Sequence, residues 1–298
     1  MTARAGKRGE ALRAWLVFLY LGCIAWGTSF LWIKYALREI GPMTIVSYRL
    51  MFGVVTAAIV LAVSRYRVKF SGREFWLPML MGVTGVAIPI SLICYSETRI
   101  DSGLAGVLNA TMPIWTMAIA HFALHDESFT FPKLAGMLSA VAGIYILMNP
   151  DFGKERDMIG QVAMISATLF YAATTVAQRK YLRGVHPFQS SLPLLVGGLV
   201  FITIAAAVFE APFKFPTQPM TWLATGWMGV LGMGLATVGY FYLINNWGAT
   251  KTSLVTFVFP PTAVLLGVVF LGEPLSWDIV AGGGLIIAGI ALVNLRML

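Results

Sequence analysis

Residues 26–42 read WGTSFLWIKYALREIGP, and 145 positions later residues 171–187 read YAATTVAQRKYLRGVHP. In register, Trp26 faces Tyr171, Ser29 faces Thr174 and Lys34 faces Arg179, while Leu37, Arg38 and Pro42 meet Leu182, Arg183 and Pro187. A second pair agrees at an offset of 146: HDESFTFPKLAGMLSAVAGI (125–144) against LGEPLSWDIVAGGGLIIAGI (271–290). There Glu127 meets Glu273, Gly136 meets Gly282 and Gly143 meets Gly289, and between the two pairs Pro113 matches Pro260 with one residue of slip. The chain therefore divides into two diverged copies, 1–150 and 151–298.

Composition puts both copies in a bilayer. Hydrophobic residues make up 58% of the chain and charged ones 11%, against ~25% charged in a soluble domain. A hydrocarbon core of about 30 Å takes ~20 apolar residues per helix. Ten segments fit: 14–36, 43–63, 74–96, 102–124, 133–149, 158–179, 188–209, 219–243, 251–271 and 277–296. In lipid only helices and closed barrels satisfy the backbone, and apolar runs this long are helices. The expected class is an all-α membrane protein.

With the N-terminus in the cytoplasm, fourteen Lys and Arg fall on the cytoplasmic side and six on the other, leaving Arg49 inside the second span. This bias predicts that both termini are cytoplasmic. It also accounts for the net charge of +8 without a nucleic-acid partner. Five helices per copy is an odd number, so the second copy enters from the opposite face. The expectation is ten transmembrane helices as two inverted five-helix repeats, an arrangement that builds alternating access into the symmetry.

Other chemistries find little support. Cys23 and Cys94 are far apart and have no metal spacing. Leu21-Gly22-Cys23 is like a lipoprotein cleavage site, but Tyr20 stands where an aliphatic residue belongs and the apolar run continues past it. His121, His125 and His186 form no zinc-protease pattern, and no phosphate loop or G-x-S-x-G occurs. No cofactor, metal or enzymatic activity is expected.

Trp26, Gly27, Lys34, Pro42 and Arg49 together resemble the opening signature of the drug/metabolite transporter superfamily, in its ten-helix EamA branch. Residues 248–290, with Pro260, Glu273, Gly282 and Gly289, look like that branch's second signature, and Pro113, Glu127, Gly136 and Gly143 carry its degenerate form. His125-Asp126 departs from it, as does the absence of a clear Trp-Gly pair in the sixth span. The resemblance implies ten helices around a central cavity in a bacterial inner (plasma) membrane. It also implies secondary transport, usually export, of a small organic metabolite such as an amino acid, by a monomer or homodimer. A scaffold or accessory subunit that kept the fold and lost transport is the alternative.

On that architecture a midplane site draws on Trp26, Ser29, Tyr95 and Asn109 from the first copy. The second copy offers Tyr171, Thr175, Gln178, Tyr240 and Phe257. Aromatic faces suit apolar bodies and cations, and amide and hydroxyl groups suit the ends of a zwitterion. Lys34, Arg49, Pro113, Pro260, Glu127 and Glu273 are expected to be structural or gating residues. Arg49 would donate to carbonyls or reach headgroups, with a gate or a substrate carboxylate as the alternative. Glu127 and Glu273 would cap or anchor loops. No acid stands clearly at mid-depth as a proton site. Ser139/Gly143 and Gly284/Ala288 read as close-packing positions. The Gly229–Gly239 series reads equally as packing or as a partly unwound helix.

Overall fold

The computed structural model describes residues 2–64, 66–70, 72–100, 102–148, 157–210, 214–262 and 277–294, and every regular element among them is helical. In chain order these are α1 (Gly9–Ala36), α2 (Pro42–Ser64), α3 (Arg73–Glu97), α4 (Ser102–Asn109), α5 (Met112–Ala123) and α6 (Phe131–Met148). Then come α7 (Met158–Tyr181), α8 (Pro187–Phe209), α9 (Pro219–Trp247), α10 (Ala249–Ser253) and α11 (Trp277–Asn294). Among the described residues, six helices are long and apolar enough to cross a membrane: α1, α2, α3, α7, α8 and α9. Proline opens α2, α8 and α9, where its missing N–H costs nothing and its fixed φ suits the first turn.

The polarity is that of a protein solvated by lipid. Val63, Phe122, Ile204 and Ile287 lie exposed, while Thr168, Ser190, Thr225 and Thr252 are buried. Buried hydroxyls borrow acceptors from their own helices: Thr225 Oγ1 donates to Thr221 O at 2.8 Å and Thr252 Oγ1 to Gly248 O at 2.7 Å.

The helices are interrupted at matched places. The segment 102–124, expected as one helix, is two, because Pro113 has no N–H and its ring crowds the carbonyl of Asn109. The chain turns at Ala110 and Thr111, and Thr111 Oγ1 takes up the carbonyl of Leu108 at 2.7 Å. After α10, residues Leu254–Val258 tighten into a 3₁₀ turn just ahead of Pro260 and Pro261. Residues 263–271 of the 251–271 segment, with Glu273 beyond them, lie outside the described residues. π-helical turns widen α1 at Tyr20–Ala25, α3 at Val83–Ala87 and α9 at Val230–Leu235.

Glycine sets the closest helix contacts. A Cβ on Gly136 would stand 2.7 Å from Gly289 O, and one on Gly143 would stand 2.6 Å from Gly282 O. α6 and α11 thus cross antiparallel with their backbones in contact. Gly229 and Gly53 serve α2 and α9 in the same way: Cβ atoms there would lie 2.6 Å from Arg49 O and from Met233 Cβ respectively. The expected role of Gly284 is corrected. Among the described residues nothing lies within 4 Å of a Cβ placed there, since the α11 face that meets α6 carries Gly282, Leu285, Ile286 and Gly289. Ser139 instead donates to Leu285 O at 3.3 Å.

Gly143→Val should therefore lower the melting temperature in detergent, with an overpacking cost of about 1–3 kcal/mol. Gly284→Ala should leave it unchanged or slightly raised, since alanine is the better helix former. Equal losses at the two positions would contradict this account of the α6–α11 crossing.

Candidate functional site

The interruptions converge on one cavity. Its volume is about 120 Å³, small beside the roughly 300–1,000 Å³ of sites for drug-sized ligands. From α1 come Trp26, Ser29, Phe30 and Ile33, just past its π turn; from α3 come Gly85 and Val86, inside its π turn, with Ile90 and Ile93. Asn109 and Met112 face it from either side of the α4–α5 break. α7 presents Tyr171, Thr174, Thr175 and Gln178, whose spacing is one helical stripe. α9 adds Met233, Thr237, Tyr240 and Phe241, and Val255, Thr256 and Phe259 come from the 3₁₀ turn and the residue before Pro260.

Seven of the nine expected recognition residues line this cavity: Trp26, Ser29, Asn109, Tyr171, Thr175, Gln178 and Tyr240. Trp26 is held at both ends. Its Nε1 donates to Gly232 O at 2.7 Å, and its ring meets Tyr240 edge-on at 5.3 Å and Phe259 at 6.2 Å. Thr175 Oγ1 and the Tyr240 hydroxyl are 2.8 Å apart, fixing α7 against α9. Thr174 Oγ1 donates to Thr84 Oγ1 at 3.3 Å. Gln178 Oε1 is buried and has no hydrogen-bond partner among the described residues.

Two expected residues lie elsewhere. Tyr95 is 37% exposed at the end of α3, where its hydroxyl accepts from Arg99 Nε at 2.8 Å. It falls two positions past Ile93, about 200° around the helix from the cavity face. Phe257 is fully buried, but in the core cluster with Leu21, Ala25 and Val255. Sequence reading missed Phe30, Thr174, Thr237, Thr256 and Phe259. The Tyr171–Gln178 stripe carried the signal for Thr174. Thr256 and Phe259 depend on a 3₁₀ turn that periodicity does not announce.

Arg49 also lines the cavity, at 4% exposure. It bonds no carbonyl and reaches no surface: its one hydrogen bond among the described residues runs from Nη1 to Met228 Sδ at 3.8 Å, and Nε has no partner. Gly232 makes room for it, since a Cβ there would stand 3.3 Å from Nη2. Lys34 is half-buried in α1 and outside the lining. Glu97, which sequence reading passed over, is 4% exposed with neither carboxylate oxygen bonded. Pro113 and Pro260 stand immediately behind the lining residues Met112 and Phe259.

Carboxylates close both ends of the bundle by capping helices that begin elsewhere in the chain. At one end, Glu210 accepts from the amides of Met43 and Thr44 at 2.7 and 2.9 Å, at the start of α2. Glu39 accepts from Thr217 and Gln218 at the start of α9. Hydrogen bonds from the Thr221 and Thr217 side chains and the Thr217 amide hold the Glu39 carboxyl down at about 2. At the other end, Glu127 accepts from the amides of Ala249 and Thr250, at the start of α10. Asp126 pairs with Arg179 at 2.9 Å and Arg183 at 3.0 Å. Burial alone would raise the Asp126 carboxyl, but the two guanidinium groups outweigh it and bring it below its ordinary value.

Comparison with known proteins agrees with this geometry. The description of the EamA-like transporter family matches the chain twice, over residues 13–149 and 158–295. An uncharacterized transporter of Archaeoglobus fulgidus is 24% identical over 95% of this chain and 99% of its own. An uncharacterized transporter of Bacillus subtilis is 24% identical over 92% and 96%. A protein of Streptantibioticus cattleyicolor named a probable terminal-alkyne amino-acid exporter is 25% identical over 94% and 93%. A solved crystal structure, 17% identical, superposes with a TM-score of 0.80 over 97% of this chain and 99% of its own, and so has the same fold.

The capping carboxylates have a signature in pH. A carboxyl depressed by folding contributes stability that is complete above its unfolded value and is lost as pH falls through its folded value. The melting-temperature gap between the wild-type protein and Glu39→Gln should therefore be constant above pH 5 and shrink as pH drops from about 4.5 toward 2. A gap that widens on acidification would refute the capping role. Glu210→Ala, which strips three donors of their acceptor, should cost about 0.5–2 kcal/mol at neutral pH.

Proposed function

The chain belongs to the EamA-like transporter family, and from that membership and the cavity we infer that it is a secondary transporter exporting a small amphipathic metabolite, such as an amino acid, by alternating access. The observation that carries this reading is the cavity itself. Discontinuous helices meet there, and irregular backbone at membrane depth is tolerated only where it is buried in protein or lines a water-filled space. The small volume favours a small solute. Aromatic walls with hydroxyl and amide groups suit an apolar body bearing polar ends. The cargo named for the Streptantibioticus cattleyicolor relative has that character.

In this reading the ten helices form two inverted repeats, 1–150 and 151–298, in a bacterial inner membrane, with both termini cytoplasmic and the unit of function a monomer or homodimer. The antiparallel α6–α11 crossing supports inversion. Gly136 and Gly143 are the repeat equivalents of Gly282 and Gly289, yet Gly136 meets Gly289 and Gly143 meets Gly282. Exchange of partners between equivalent positions is what a two-fold axis through the crossing requires. The caps at the two ends would alternate in opening: those of Glu39 and Glu210 toward the outside, those of Asp126 and Glu127 toward the cytoplasm.

Counterflow in proteoliposomes tests the function. Purified protein preloaded with neutral amino acids should accumulate the labelled species, and Tyr171→Ala and Asn109→Ala should cut the initial rate at least about tenfold, the loss expected when roughly 1.4 kcal/mol of binding is removed. Uptake no faster than in protein-free vesicles, across the whole amino-acid panel, would count against the reading. For orientation, single cysteines at Lys214 and Arg67 in a cysteine-free background can be exposed to an impermeant thiol reagent. Position 214 should label in intact cells and position 67 only after permeabilisation.

A further inference from the structure

Within the lining of the cavity, among the described residues, Arg49 is the single charged side chain. Arg49 is 4% exposed, and among the described residues its Nε is without a partner and the one acceptor it meets is a thioether sulfur at 3.8 Å. A guanidinium carries five donors in a planar fork matched to a carboxylate, and here that fork is nearly unused. An ionised group left in this state inside a membrane protein is costly and marks a ligand or ion path.

The acid in the surroundings of this guanidinium does not pair with it. Glu97 belongs to the electrostatic surroundings of Arg49, together with the Tyr171 hydroxyl and the Cys94 thiol. Yet both Glu97 oxygens are unbonded, and the ion pairs among the described residues involve Arg99, Arg179 and Arg183 only. Lys34 and Arg49 both act on Glu97. Even with Glu97 ionised, that cluster keeps one positive charge in excess. The backbone is shaped to hold the guanidinium where it is: Gly232, in the π turn of α9, leaves the room that Nη2 occupies.

We propose that Arg49 is the anchor for an anionic group of the transported solute, a carboxylate held bidentately, so that this cavity takes carboxylates and zwitterions and rejects simple organic cations of the same size. This rests on the transport reading above and narrows its substrate class. It replaces the expectation that Arg49 serves the fold. A bidentate charge-assisted pair would satisfy the empty fork and balance the guanidinium charge in one step.

Three solutes that differ by one group test it: L-phenylalanine, 3-phenylpropionate, which lacks the amine, and phenethylamine, which lacks the carboxylate. With the full-length protein, L-phenylalanine and 3-phenylpropionate should raise the melting temperature in detergent and drive counterflow in proteoliposomes, while phenethylamine should do neither. Arg49→Gln should melt no lower than the wild-type protein without solute, because it removes an unpaired buried charge. It should also lose the carboxylate-induced shift and at least tenfold in counterflow. Arg49→Lys, a point charge without the fork, should keep part of both.

Wild-type binding and transport of phenethylamine equal to that of L-phenylalanine would overturn the anchor and leave the transport reading standing. Undiminished carboxylate counterflow by Arg49→Gln would do the same. A lower melting temperature for both Arg49 variants, equal with and without solute, would return Arg49 to the fold. If the wild-type protein neither binds nor moves any of the three while another member of the amino-acid panel is transported, the anchor as stated falls alone; if the whole panel fails as well, the transport reading falls with it.

Discussion

Two carbonyls at the π turn of α9 hold the centre of the molecule together. Leu231 O accepts from the Tyr20 hydroxyl at 2.8 Å and Gly232 O from the Trp26 indole at 2.7 Å. A π turn opens the regular hydrogen-bond ladder, and in lipid a freed carbonyl costs several kcal/mol unless something donates to it. Aromatic donors from α1 supply that need, and one of them, Trp26, also forms part of the cavity wall. Thr111 performs a smaller version of the service at the α4–α5 break. Irregular backbone, which would be expensive elsewhere, is thereby concentrated around one cavity.

The ends of the bundle are organised differently, because water and headgroups are near. There the unpaired groups are the first amides of each helix, with the positive end of the helix dipole behind them. Glu39, Glu210 and Glu127 meet amides at the starts of α9, α2 and α10, each from a loop or helix end distant in sequence. Caps of this kind hold segments together through a few strong, local contacts. The glycine crossings bury broad surfaces, as between α6 and α11. The caps can be exchanged for water at modest cost, so the proposed alternating-access cycle would have its breakage points there.

Much of this was legible in the sequence, and the limits have physical causes. Length and hydropathy gave the helical, membrane-spanning class. The duplicated motifs aligned Pro113 with Pro260, but each sits inside what reads as one continuous span; that the helix breaks at Ala110–Thr111 and tightens at Leu254–Val258 ahead of them emerged only from the structure. Most aromatic and polar residues of the cavity found in advance sat on a regular stripe, as Tyr171, Thr175 and Gln178 do, although Thr174 on the same stripe was passed over. Tyr95 was misplaced because depth along a helix is easy to read and rotation about it is not. Phe257 and Thr256 exchanged roles because a 3₁₀ turn advances each residue by a different angle from an α-helix. Glu97 went unnoticed at a helix end, although it continues the α3 stripe of Val86, Ile90 and Ile93.

Arg49 is the clearest case of a residue whose identity was readable and whose role was not. A lone arginine in an apolar helix has a bland explanation, in which carbonyls or headgroups absorb its donors. Only its surroundings separate that from function: its one hydrogen-bond partner among the described residues is a thioether, the acid Glu97 is unbonded, and the side chain lines the cavity. Given the proposed anchor, the charge also bears on the cycle. An empty cavity with an unpaired cation resists closing off from water, because occlusion would strip the guanidinium of solvent with nothing in return. A cavity holding a carboxylate closes around a neutral pair. The loaded carrier would then pass through the occluded state more easily than the empty one, and that asymmetry separates exchange of solutes from futile cycling of an empty site.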